Sequence, residues 1–139
     1  MEKKIINVCF DLQIAAKSFD VKRIVDITGL IPNHSTDVRY NYRLSVLDRM
    51  KEPSERMSYC SYSTRYTQTD DINIPLGKFL EKFIENADEL NNYLRACDFP
   101  SVVLYVITEP AVNELYAVNF SADTIRKLSK INCRLSLEF

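Results

Sequence analysis

The sequence predicts an α+β domain: one largely antiparallel sheet of about six strands, with three helices on one of its faces. Three observations predict it. Several stretches alternate apolar and polar residues, residues 76–97 repeat their apolar positions at helical spacing, and the run Ser101–Ile107 is rich in β-branched residues. A period of two gives a strand one core face and one wet face, whereas a period near 3.6 lays a stripe along a helix. With 139 residues, 46% hydrophobic and 27% charged, the chain has the make-up of one folded domain, 1–139.

Ile6, Val8, Phe10, Leu12 and Ile14 alternate with Asn7, Cys9, Asp11 and Gln13, which predicts the first strand. Ser18 or Asp20 suits a helix N-cap ahead of Val21, Ile24, Val25 and Leu30, and Gly29 suits the left-handed residue that ends a helix. After the loop Ile31–Thr36, the alternation Val38, Tyr40, Tyr42, Leu44, Val46 predicts a second strand, and the charged stretch Asp48–Glu55 a turn. A third strand runs from Met57 to about Tyr66. It is polar on both faces, so its register is weakly specified.

The longest helix follows, with Pro75 in its first turn and Leu76, Phe79, Leu80, Phe83, Ile84, Ala87, Leu90 and Leu94 as its apolar stripe. Asn86 and Glu89 have the spacing of a capping box, which marks a break there. Ser101–Ile107 reads as a strand in the middle of the sheet and buried on both faces. Tyr116, Val118 and Phe120 predict a fifth strand, Ser121 caps a last helix with Ile125 and Leu128 inward, and Cys133–Phe139 closes the sheet. The order β-α-β-β-α-β-β-α-β is that of a split βαβ, or ferredoxin-like, arrangement extended by one further unit.

Composition excludes several kinds of chemistry. Gly29 and Gly77 are the only glycines, so neither a phosphate-binding loop nor a dinucleotide fingerprint is present. A net charge of −1 supplies no field for nucleic acid or an anionic membrane. No segment approaches a membrane span, and Met1–Lys4 runs directly into the alternating pattern, so neither a signal peptide nor a membrane partner is expected. Cys9, Cys60, Cys97 and Cys133 are isolated in sequence, which fits small apolar residues in a reducing cytoplasm better than a zinc site or disulfide framework.

Little remains for catalysis. His34 is the single histidine and falls in a loop, where Cys60 or Ser35 would have to be brought to it by the fold. Asp70 and Asp71 precede the long helix, where acidic residues are favoured electrostatically without any catalytic role. No catalytic residue, metal or cofactor is expected. Tyrosine and arginine interleave at Arg39–Arg43 and from Tyr59 to Tyr66, a pairing that stacks bases in RNA readers and supplies contact area in protein interfaces. Asp37, Asp48, Glu52 and Glu55 dilute the basic charge, which disfavours nucleic acid.

Three segments together carry a resemblance. They are the first strand leading to Phe19-Asp20 and Thr28-Gly29-Leu30-Ile31-Pro32; Tyr59-Cys60-Ser61-Tyr62-Ser63 before the Leu76–Phe83 helix; and Val118–Ile125 with Leu135-Ser136-Leu137-Glu138-Phe139. In layout and phrases the chain resembles a family of small bacterial proteins classed as a domain of unknown function. It lacks the tryptophan near Tyr59 and the glycine after the Pro32 loop that members carry. The resemblance implies a bacterial or phage source and an α+β fold, and it supplies no activity. Small domains of this sort sometimes serve as immunity partners of toxins, a role carried over by analogy alone.

The leading expectation is a non-enzymatic, cytoplasmic protein-binding domain, as an immunity-type inhibitor or a homodimer. A small-ligand or RNA-binding sheet using tyrosine and arginine, and a hydrolase using Asp70, Asp71 or His34, stand behind it. The candidate binding residues are Arg39, Arg43, Tyr62, Val103, Tyr105 and Ile107. The last three follow from a conflict: the outer faces of the other strands are polar, so Val103, Tyr105 and Ile107 form an apolar stripe where water is expected. A loop such as Asp48–Glu55, or another molecule, must cover it.

Overall fold

Strand β1 (Ile6–Lys17) organises the sheet. In the computed structural model, which describes residues 5–17, 19–36, 57–110 and 118–139, every second residue of β1 from Ile6 to Ala16 is buried. Helix α1 (Val21–Thr28) follows, and its start is fixed by the Asp20 carboxylate, which accepts from the Lys22 amide at 3.0 Å. Gly29 ends it in the left-handed region at φ 71°, its amide donating to the Val25 carbonyl. A β-carbon in that conformation costs about 1–2 kcal/mol.

Strands β2 (His34–Thr36), β3 (Met57–Ser63) and β4 (Thr67–Thr69) lie on one side of β1. β3 pairs with Asp11–Lys17 and β4 with Ile6–Val8, so the two form one interrupted strand along the same edge. At the interruption Thr64 keeps the ladder intact: its amide donates to the Phe10 carbonyl, and its hydroxyl accepts from the Phe10 amide. The strand expected to run unbroken to Tyr66 therefore ends at Ser63. Its polar residues carry no pattern that would hold the pairing straight.

Helices α2 (Asn73–Glu85) and α3 (Ala87–Arg95) divide the long apolar stripe at Asn86. The Asn86 side-chain amide donates to the Lys82 carbonyl at 2.9 Å rather than capping α3. Strand β5 (Asp98–Pro110) pairs antiparallel with β1, helix α4 (Ala122–Lys130) is capped by Ser121, and β6 (Arg134–Glu138) pairs parallel with β5. The Ser121 hydroxyl accepts from the Thr124 amide at 3.1 Å. The strand order is β2-β3-β1-β5-β6, a mostly antiparallel α+β sheet with four helices among the described residues.

Three expectations are corrected. The middle of the sheet is β1, not Ser101–Ile107, because among the described strands β1 alone is paired along both edges by long strands. β5 is not buried on both faces: Val102, Leu104, Val106 and Thr108 are buried, whereas Ser101, Val103, Tyr105 and Ile107 stay partly exposed. A run of apolar residues does not reveal which faces a sheet covers. Val118–Phe120 is not a strand in the structure, and Tyr116 with Ala117, like the expected strand Val38–Val46 and the turn Asp48–Glu55, lies outside the described residues.

All the helices pack on one face. Phe10 stacks on Phe79 with ring centres 5.6 Å apart, and Phe83 meets Tyr62 edge-on at 5.0 Å. Phe10, Leu12, Ile14, Leu76, Leu80, Phe83 and Leu104 are among the fully buried side chains. No helix among the described residues is long and apolar enough to cross a membrane.

Candidate functional site: the sheet face opposite the helices

The strand registers define what the far face presents. Leu12, paired with Tyr62 and Leu104, points to the helices, so Asp11, paired with Ser63 and Tyr105, points away from them. The parallel pairing continues this row to Ser136. A neighbouring row holds His34, Ser61, Gln13, Val103 and Arg134, and another Cys9, Ile107 and Glu138. Val103, Tyr105 and Ile107 thus form an apolar stripe between polar and charged neighbours. The stripe runs from Arg134 at one end to Glu138 and Glu109 at the other.

This face is not evenly wet. Ser61 is only 2% exposed although it points away from the helices. The Asp11 carboxylate accepts from the Gln13 side-chain amide at 3.1 Å through Oδ2, while Oδ1 is cut off from solvent and has no hydrogen-bond partner among the described residues. A lone acidic residue on an alternating polar face gave no sequence signal that its oxygen would be shielded.

Tyr62 is corrected as a candidate. It is 4% exposed, lies in the core against Phe83, and its hydroxyl donates to the Leu30 carbonyl at 2.9 Å. Arg39 and Arg43 lie outside the described residues. Of the tyrosines in the third strand, Tyr59 rather than Tyr62 shares the far face, opposite Ala15.

Burial makes all four thiols less acidic than usual. Cys60 faces the core beside Ser35, and burial pushes its thiol up to about 12. His34 is paired with Ser61 on the other face, so the two do not form a dyad. Burial also raises the Cys9 thiol, with the Asp11 and Glu109 carboxylates adding to the rise and the Tyr66 hydroxyl, its hydrogen-bond partner, opposing it. A cysteine nucleophile needs the reverse, a thiol made more acidic by cations or a helix N-terminus.

These buried groups set an alkaline limit. Cys60 and Cys133 move from the usual 9.0 to about 12 and about 11, and Tyr62 from 10.0 to about 12, each chiefly by burial. The unfolded chain loses these protons first, so above pH 9 it binds fewer protons than the folded chain. Stability is whole below pH 9 and is expected to fall progressively between pH 9 and 12. Urea titrations at stepped pH check this, and Cys60→Ala should flatten the fall.

Asp70 and Asp71 sit at a structural joint. Asp71 Oδ1 accepts from the Asn73 amide at 3.0 Å and from its side chain at 2.8 Å, which fixes the start of α2. Asn73 in turn donates to the Asn119 carbonyl, and its Oδ1 accepts from the Ser121 amide and the Thr124 hydroxyl. Asp70, Asp71, Ile72, Asn73 and Asn119 line a cavity of about 100 Å³ with Ile6 and Val118. A second cavity, of about 180 Å³, lies between α3, Pro100 and Ile131, with Arg95 as its one charged side chain. Among the described residues no group of histidine, cysteine, aspartate and glutamate is placed to hold a metal. Comparison with family models, curated proteins and solved structures finds no match.

Proposed function

We propose that this chain is a protein-binding domain that receives its partner on the sheet face opposite the helices. One observation carries the reading: Val103, Tyr105 and Ile107 stand on a face that no described helix covers. Protein interfaces favour such an arrangement, an aromatic and aliphatic centre within a polar rim. Glu109 and Glu138 lie at the Ile107 end, with Asp11 opposite Tyr105. The fitting partner therefore presents an apolar patch with basic side chains toward that end.

An immunity-type inhibitor is the narrower form of this reading. It rests on the resemblance to small bacterial domains and on the same acidic rim, which suits a basic toxin surface. The identity of the adjacent reading frame tests it, since a toxin gene there would support it and an unrelated gene would not.

Binding itself is tested with the partner recovered from the host. Tyr105→Ala is expected to weaken its affinity at least about tenfold, as loss of a central aromatic does. Exposed Ile74→Ala, on helix α2 and so on the other side of the sheet, should leave affinity unchanged. Equal affinity for the wild type and the Tyr105 variant would remove the open face from the reading.

A further inference from the structure

The outer edge of β6 matches itself in reverse. The strand reads Arg134-Leu135-Ser136-Leu137-Glu138 and lies at one end of the strand order, paired on its inner side with β5. Among the described residues no strand runs along its outer side. An open edge of this kind offers a row of backbone donors and acceptors to another strand. Neither a proline nor a central charge blocks it.

We infer that β6 is a self-association edge: two copies pair their β6 strands antiparallel about a two-fold axis at Ser136, which joins two sheets into one. In that register Arg134 lies opposite the second copy's Glu138, and Leu135 opposite the second copy's Leu137. The two-fold repeats each pair. Opposite residues in an antiparallel pair share a face, so the ion pairs form on the open side and the leucines meet on the helix side. A shift of two residues places Arg134 against serine and leaves a glutamate unmatched. The centred register satisfies every position, as an isologous interface requires.

The helix layer leaves room for this. Leu104 and Val106 are fully buried, yet their β6 neighbours Leu135 and Leu137 are 38% and 41% exposed. The helices thus stop short of β6, and two apolar side chains face water until a second copy adds its own pair. The opposite edge, β2, is the short strand His34–Thr36 and carries no complementary charges. Among the described residues Arg134 holds a 3.2 Å exposed contact to the Ser101 hydroxyl and can turn outward.

This inference does not depend on the open-face reading. Sedimentation velocity of the full chain from micromolar to millimolar concentration should show a monomer–dimer equilibrium that weakens with added salt. Arg134→Glu, which places like charges opposite each other twice, should raise the dissociation constant at least about tenfold. The combined Arg134→Glu and Glu138→Arg variant restores the complement and should dimerise like the wild type. Tyr105→Ala should dimerise normally, which separates this edge from the open face. Circular dichroism confirms that each variant is folded. A wild type monomeric throughout, a dimer indifferent to the single reversal, or a double variant that stays monomeric would overturn the inference.

Discussion

Phe83→Ala is expected to lower the free energy of unfolding by about 3–5 kcal/mol, the cost of emptying a large core site that cannot collapse. Phe83 is fully buried and is held by two aromatic neighbours, Tyr62 edge-on at 5.0 Å and Phe79 tilted at 6.0 Å. It joins α2 to β3, so its loss opens a cavity between layers rather than at a surface. Urea denaturation followed by far-ultraviolet dichroism measures the change. Phe83→Leu should cost clearly less, because it restores most of the volume. Equal losses for both variants would mean that the ring contacts, not the filled space, hold the layers together.

Asn73→Ala is expected to cost about 2–3 kcal/mol, more than an ordinary surface substitution, because a bonded and partly buried network loses its centre. The side chain donates to Asp71 and Asn119 and accepts from Ser121 and Thr124, so it ties the start of α2 to the cap of α4. Thr124 is only 4% exposed, and its hydroxyl would keep only the bond from Ser121. Asn73→Asp should be worse than alanine at neutral pH. It keeps the acceptor, loses both donated bonds, and sets a second carboxylate against Asp71. Denaturation midpoints of the three proteins rank the effects directly.

Sequence reading succeeded where the chemistry is local. Asp20, Gly29 and Ser121 act at helix ends through bonds to backbone groups within a few residues, and each residue type alone announces that role. The alternation of β1 was equally plain, because its apolar residues meet helices and its polar residues do not. Val103 and Leu104 look alike by themselves; the polar outer faces of the other strands assigned Val103 to the open side, and the pairing of Leu12 with Leu104 agrees. Failures came where the outcome depends on distant partners. Tyr62 and Tyr59 are equally alike, and the register against β1 sends one into the core and the other out. Asn73 gave no signal, since its partners at Asn119, Ser121 and Thr124 are reached only after β5 has been laid down.

The position of β1 also fixes the order of events in time. It precedes every other described strand, yet Leu12 finds its two cross-strand partners at Tyr62 and Leu104. Both are distant closures, and chains dominated by such pairings fold slowly because the entropy of closing large loops is lost before contacts compensate it. On the ribosome, a strand whose buried face carries Val8, Phe10, Leu12 and Ile14 must wait for most of the chain to emerge. Until β5 arrives, one edge of that strand is open to any other extended segment. The vulnerable period of this protein is its synthesis, and a chaperone that shields the segment from Ile6 to Lys17 would raise its yield.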